Sequence, residues 1–259
     1  NNNTFIGRDA GGGTWVTAAS HSNTGIGKGV MAGAMNGSTN NTGVGLVSSS
    51  AITTGDNNSG LGAYSNYLVT TGVSNTALGY SSGLYNETGN YNTFVGTQSG
   101  QGASGQSNTG NVGVGYQTLL DITDGGYNVA IGYQSGQNIT SADECISIGT
   151  NSLNLATVAQ NCIAIGRNSL SGVTTNALDG AIAIGYGALI GASGTTTGAN
   201  NTIAIGKDSL KALTTGASNL AVGLSAGATI TTTSGNTIVG TSAVTTGTIG
   251  ANNTVVGHD

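Results

Sequence analysis

Beyond hydroxyls and a few lysines, two cysteines, two histidines and ten carboxylates are what this chain of 259 residues offers for nucleophilic, acid–base or metal chemistry. His21 and His258 stand near opposite ends. No Ser/His/Asp arrangement, HExxH motif or phosphate-binding glycine loop occurs. Sugar hydrolysis needs two carboxyl groups held at a fixed separation. The acids Asp121, Asp124, Asp143, Glu144, Asp179 and Asp208 form no recurring pair, and the calcium-binding glycine-aspartate repeat does not match either. Cys145 and Cys162 are too few for a structural zinc site. These absences predict a protein that is not an enzyme and needs no cofactor.

What positions these residues is a repeat. An aliphatic residue followed by glycine recurs at Gly7, Gly27, Gly45, Gly62, Gly79, Gly96, Gly115, Gly132, Gly149, Gly166, Gly185, Gly206, Gly223, Gly240 and Gly257, and 17 residues is the commonest interval. Fixed periods of this size mark solenoids and related arrays. Turn-forming Gly, Ser and Asn fill the stretches between anchors. Proline, which removes a ladder donor, is absent. The pattern predicts an all-β fold: a parallel β-solenoid, or β-roll, of about 15 coils, with residues 1–259 as one continuous domain. The chain opens without Met, and its last coil, Asn253 to Gly257, reads like an interior one, so a fragment of a longer fibre is expected.

Composition narrows the partners. Charged residues make up 6% of the chain, the net charge is −5, and the five Lys and Arg are scattered. Nucleic-acid binding needs clustered cations, so it is not expected. No apolar run reaches membrane-spanning length, so membrane insertion within this segment is not expected.

Strand alternation assigns the columns. The aliphatic residue before each anchor, as in Ile131, Ile148, Ile165, Ile184 and Ile205, is expected to be core. The residue before that one is mostly small, as in Ala130, Ser147, Ala164, Ala183 and Ala204. On the opposite strand face, such a row would let another chain approach closely. Side-by-side packing of identical chains, most simply a homotrimer, is the favoured reading; the alternative is a row kept small by a tight turn. A second apolar row seven residues after the anchor (Ile52, Val69, Ile122, Ile139, Val173, Leu213, Ile230), followed by a threonine row, predicts a second β segment in each coil.

Four residues before the anchor runs an asparagine row from Asn3 to Asn253, expected to form amide ladders up the stack. Cys145 and Cys162 replace asparagine in adjacent coils. Two stacked thiols are favoured over a disulfide, because parallel side chains aim the sulfurs the same way. Tyr80, Tyr116, Tyr133 and Tyr186 follow anchor glycines in a column that elsewhere holds Arg8, Lys28, Arg167, Lys207 and His258. This column is either a solvated corner or a receptor-facing stripe. Segments 100–106 and 191–197 are expected to bulge as loops, and Trp15 with Phe5 to cap the first coil.

Asn161-Cys162-Ile163-Ala164-Ile165-Gly166 through Ser169-Leu170, and Asn201-Thr202-Ile203-Ala204-Ile205-Gly206-Lys207-Asp208-Ser209-Leu210, resemble the YadA-like head repeat of trimeric autotransporter adhesins, Asn-Ser-x-Ala-Ile-Gly-x-x-Ser-x-Ala. Asn128-Val129-Ala130-Ile131-Gly132-Tyr133-Gln134-Ser135-Gly136 is similar to repeats of phage tail-fibre proteins. The repeat here is longer than the head repeat, and no heptad stalk accompanies it. The resemblance implies a left-handed β-roll, three chains side by side, and extracellular display on a cell or virion surface for attachment to a host-surface glycan or protein. An end-to-end structural filament and an ice-binding threonine array are the competing readings.

Overall fold

The computed structural model describes residues 2–14, 18–105, 107–172, 178–191, 198–247 and 249–258. The fold is a parallel β-solenoid with a repeat of about 17 residues, and no helix occurs among the described residues. Two compact units divide the chain, Asn1–Tyr127 and Asn128–Asp259. In the first, β1 (Thr4–Ile6), β2 (Thr24–Ile26), β3 (Thr42–Val44), β4 (Ser59–Leu61), β5 (Thr76–Leu78), β6 (Thr93–Val95) and β7 (Val112–Val114) stack in chain order. The second holds β8 (Val129–Ile131), β9 (Ile146–Ile148), β10 (Ala159–Gln160), β11 (Ile163–Ile165), β12 (Leu178–Asp179), β13 (Ile182–Ile184), β14 (Ile203–Ile205), β15 (Leu220–Val222), β16 (Thr237–Val239) and β17 (Thr254–Val256). There β8, β9, β11 and β13 to β17 stack in that order, and β10 pairs with β12 separately.

The register keeps every column in line. Thr42 pairs with Ser59 and Ser59 with Thr76, while Ile163, Ala164 and Ile165 pair with Ile182, Ala183 and Ile184. The anchor glycine follows each strand of the two main stacks, in a conformation and a space that disfavour any side chain. Gly166 has φ of 125°, and a Cβ there would stand 2.6 Å from the Gly185 carbonyl oxygen of the next coil. The serine three residues on closes the turn: Ser169 and Ser209 donate from Oγ to the Gly166 and Gly206 carbonyls at 2.8 and 2.9 Å. Between glycine and serine lies a residue in the left-handed region that is often not glycine, such as Tyr64, Gln98, Asn168 or Asp208.

The strands are turned the opposite way from the sequence expectation. Ala130, Ser147, Ala164, Ala183 and Ala204, expected at an interface between chains, are buried inside the coil. The isoleucines expected as core point outward: Ile131 is 39% exposed and Ile205 37%, and Ile148, Ile165 and Ile184 are half-buried. The physical reason is the supply of larger apolar groups from the far side of the coil. Leu119, Leu153, Leu170, Leu189 and Leu210, four residues after their anchors, are fully buried, as are Ile52, Val69, Ile122, Ile139 and Leu213 from the row at seven. Two such rows leave room only for small side chains from the strand. Phe94 is the instructive exception. It is buried in the small row, and Gly100 of its own turn and Gly113 of the next coil make room; a Cβ on Gly113 would lie 3.0 Å from its ring.

The row at seven is therefore core, as expected, but its surroundings are turns rather than a second ladder strand. β10 and β12, with isolated bridges such as His21 to Thr39, Thr109 to Gly126 and Asp143 to Gln160, supply short paired strand outside the main stacks. At the first coil, Phe5 and Ala10 pack on Val30, Met31, Met35 and Ile52. Trp15, Val173 and most of 191–197 lie outside the described residues.

Candidate functional site

The asparagine row is a structural device. From Asn3 to Asn92 each Oδ1 accepts the backbone N–H and the Nδ2 of the next asparagine in the row. Asn41 Oδ1 takes the Asn58 backbone N–H at 2.9 Å and its Nδ2 at 3.1 Å, and Asn58 Oδ1 takes the same pair from Asn75 at 3.0 Å each. The Nδ2 groups also donate onward, from Asn58 to the Gly72 carbonyl and from Asn75 to the Gly89 carbonyl, both at 2.8 Å. All three side chains are buried. Buried amides satisfied this completely add rigidity, and nothing in them is left for a ligand.

In the second unit Cys145, Cys162, Ala181 and Thr202 interrupt the row. Asn128 Oδ1 still accepts the Cys145 N–H at 3.0 Å. Both cysteines are free thiols and buried, and the Cys162 sulfur lies 3.1 Å from the Gln160 carbonyl. The hydrogen bond to Cys162, followed by burial, pushes the Cys145 thiol far above its ordinary range. A thiol held protonated is a poor nucleophile.

The carboxylates also serve the frame. Asp56 accepts from the Thr39 N–H and hydroxyl at 2.6 and 3.0 Å, Asp179 accepts from Asn161 Nδ2 at 3.0 Å, and Glu87 accepts from the Gly105 N–H at 2.8 Å in the 100–106 segment. Ala103, Ser104 and Gly105 of that segment are exposed. Among the described residues no three His, Cys, Asp or Glu side chains gather to hold a metal ion, and no helix is long and apolar enough to cross a membrane. The threonine row hydroxyls are engaged within the stack. Thr53, Thr70, Thr140 and Thr214 each donate to a carbonyl of the following coil at 2.8–3.1 Å.

Two outward surfaces remain. The first is the outer face of the strands. In β9, β11, β13 and β14 both outward positions are isoleucine: Ile146 and Ile148, Ile163 and Ile165, Ile182 and Ile184, Ile203 and Ile205. Ile146 is 36% exposed, and no charged side chain stands in either row of these four strands. In β1 to β6 one of the two outward positions is threonine or serine instead.

The second surface is the corner after the anchor. Tyr80, Tyr116, Tyr133 and Tyr186 are all exposed there, as expected of either sequence reading. They are not equivalent. Tyr186 lies between two cations: the Arg167 guanidinium is 4.9 Å from its ring centroid and also donates to its hydroxyl at 3.1 Å, and Lys207 Nζ is 5.7 Å from the centroid. Tyr80 belongs to a cluster that the column pattern does not reveal. Tyr64 packs edge-on against both Tyr67 and Tyr80, with centroids 5.8 and 5.9 Å apart. The available signal was four tyrosines, Tyr64, Tyr67, Tyr80 and Tyr85, within little more than one repeat.

No protein-family model, curated protein or solved structure matches this chain.

Proposed function

We propose that this chain is a subunit of a non-enzymatic attachment fibre, displayed outside the cell or on a virion. In this reading several copies pack side by side, most simply as a homotrimer, and the remaining outer columns face a host surface. The observation that carries it is the outward face of β9, β11, β13 and β14. These four strands, successive in the stack, each turn two isoleucines outward, in register and without a charge. Contiguous apolar patches of this kind mark protein contacts. An interface between identical chains is apolar at its centre, and around a three-fold axis the same column of each chain can face the axis. The resemblance of Asn161–Leu170 and Asn201–Leu210 to adhesin head repeats points the same way. Sedimentation equilibrium of the chain at micromolar concentration tests the assembly: a trimer is expected, and a monomer across the range overturns it. Labelled chain should then bind intact bacterial or host cells in a saturable way.

A further inference from the structure

Tyr64, Tyr67, Tyr80, Tyr85, Gln98 and Gln101 wall a groove in the first unit with a cavity of about 290 Å³, floored by Ser81 and Leu84. We propose that this groove binds a short neutral saccharide. The inference deepens the attachment reading and rests on it for its biological meaning, because it names the ligand class that one part of the outer surface would take.

The groove arises from the repeat itself. The positions two and five residues after the anchor are neighbours across the turn, and here three successive coils fill them unequally. The first coil places Tyr64 and Tyr67, the second Ser81 and Leu84, and the third Gln98 and Gln101. Large residues at either end and smaller ones between leave a trough along the stacking direction. Its walls are two inter-strand steps apart, about 10 Å. Tyr80 and Tyr85 flank the middle coil.

The wall chemistry selects the ligand. Tyr64 meets Tyr67 and Tyr80 edge-to-face at 77° and 76°, so its ring braces the other two and the surfaces stand at different angles. Tyr80 is 53% exposed, and Tyr64, Tyr67 and Tyr85 are half-buried. Such rings offer apolar area at small conformational cost, with a polar tip. None of the four phenol hydroxyls bonds to a described residue. Gln117 Nε2 donates to Gln98 Oε1 at 2.9 Å, which fixes that amide and leaves its Nε2 for a ligand. The Gln101 amide likewise has no side-chain partner among the described residues. None of the groove residues carries a charge at neutral pH. Apolar faces beside neutral donors and acceptors match a sugar ring, which has C–H patches and hydroxyls. An anionic ligand would find no cation here, and a purely apolar one would leave the amides and phenols unpaired.

The test uses the whole chain against an immobilised panel of neutral oligosaccharides built from glucose, galactose and N-acetylglucosamine, with sialylated and sulfated forms alongside. At least one neutral member should be retained. Tyr64→Ala and Gln98→Ala should each weaken that binding by about tenfold or more. Tyr91→Ala, an exposed tyrosine outside the groove, should leave it unchanged. Gln98→Glu, which keeps size and adds charge, should also weaken it, so the result does not depend on a truncated side chain. Circular dichroism melts of each variant separate loss of binding from loss of fold. Retention of only the acidic sugars, of none, or equal retention by the folded groove variants overturns the proposal. Cell binding that survives Tyr64→Ala would remove the groove and leave the attachment reading standing. Sugar retention without cell binding would do the reverse.

Discussion

The two units differ in what stands on either side of their strands. Around β3 to β6 the amide ladder is unbroken within, from Asn41 to Asn92, and the outward position beside it is Thr42, Ser59, Thr76 or Thr93. Around β9, β11, β13 and β14 the ladder gives way to Cys145, Cys162, Ala181 and Thr202, and the outward position becomes Ile146, Ile163, Ile182 or Ile203. The exchange is local: Asn219, Asn236 and Asn253 carry the ladder again further along the second unit, and Asn219 does so beside the outward Leu220. A solenoid coil depends on its neighbours for stability. The first unit finds that support in polar contacts between coils, and in our reading the second adds contacts between chains.

The largest effect should come from breaking the ladder. Asn58→Ala removes the acceptor for the Asn75 N–H and Nδ2 and the donor to the Gly72 carbonyl. At about 1–3 kcal/mol for each buried group left unpaired, the loss should be about 4 kcal/mol. Cys162→Ala in the corresponding column should cost about 1 kcal/mol, since little more than a small apolar group is lost. Hydrogen exchange read separately over the two units would show the contrast, and equal losses would abolish it.

Next in size is the outer face. The triple change Ile163→Ser, Ile182→Ser and Ile203→Ser should weaken self-association by well over tenfold, at about 1 kcal/mol or more per chain for each residue. The interior protection of the second unit should persist. Thr42→Ala with Thr76→Ala should leave association unchanged. Sedimentation of both variants distinguishes the two faces, and matching behaviour would mean that the isoleucine face is not the contact.

The smallest effect concerns the thiols. The folded-state pKa of Cys145 is raised, so its contribution is whole below the unfolded value near 9.0 and is lost as pH rises above it. The same hydrogen bond between the thiols lowers the Cys162 pKa, which gives the opposite slope below 9.0; above it stability should fall with pH, and Cys145→Ser should flatten that fall. Denaturant midpoints between about pH 8 and 10 provide the measurement. Both sulfurs are buried, so neither cysteine should react with a thiol reagent in the folded chain at neutral pH.

Positions and register of the stacked strands were legible because a glycine follows each of them: the triplet Ile163–Ile165 can be read directly from Gly166. The ladder was legible from the recurrence of asparagine in one column. The facing of the strands was not. The habit of placing the larger residue inside fails where the interior is filled from across the coil. The column of Leu119, Leu153, Leu170, Leu189 and Leu210 carried that information, since a coil with two large apolar rows opposite the strand has no space for a third. The tyrosine groove was hidden for a related reason. A repeat describes what its copies share, and the groove exists where Tyr64, Ser81 and Gln98 differ in one column.

The ladder also has a direction. From Asn3 to Asn111 the acceptor belongs to the earlier coil and the donors to the later one. A chain emerging from its N-terminus therefore presents, at each finished coil, an oxygen already placed for the coil still to come. The growing end is its own template, and order can advance in step with synthesis.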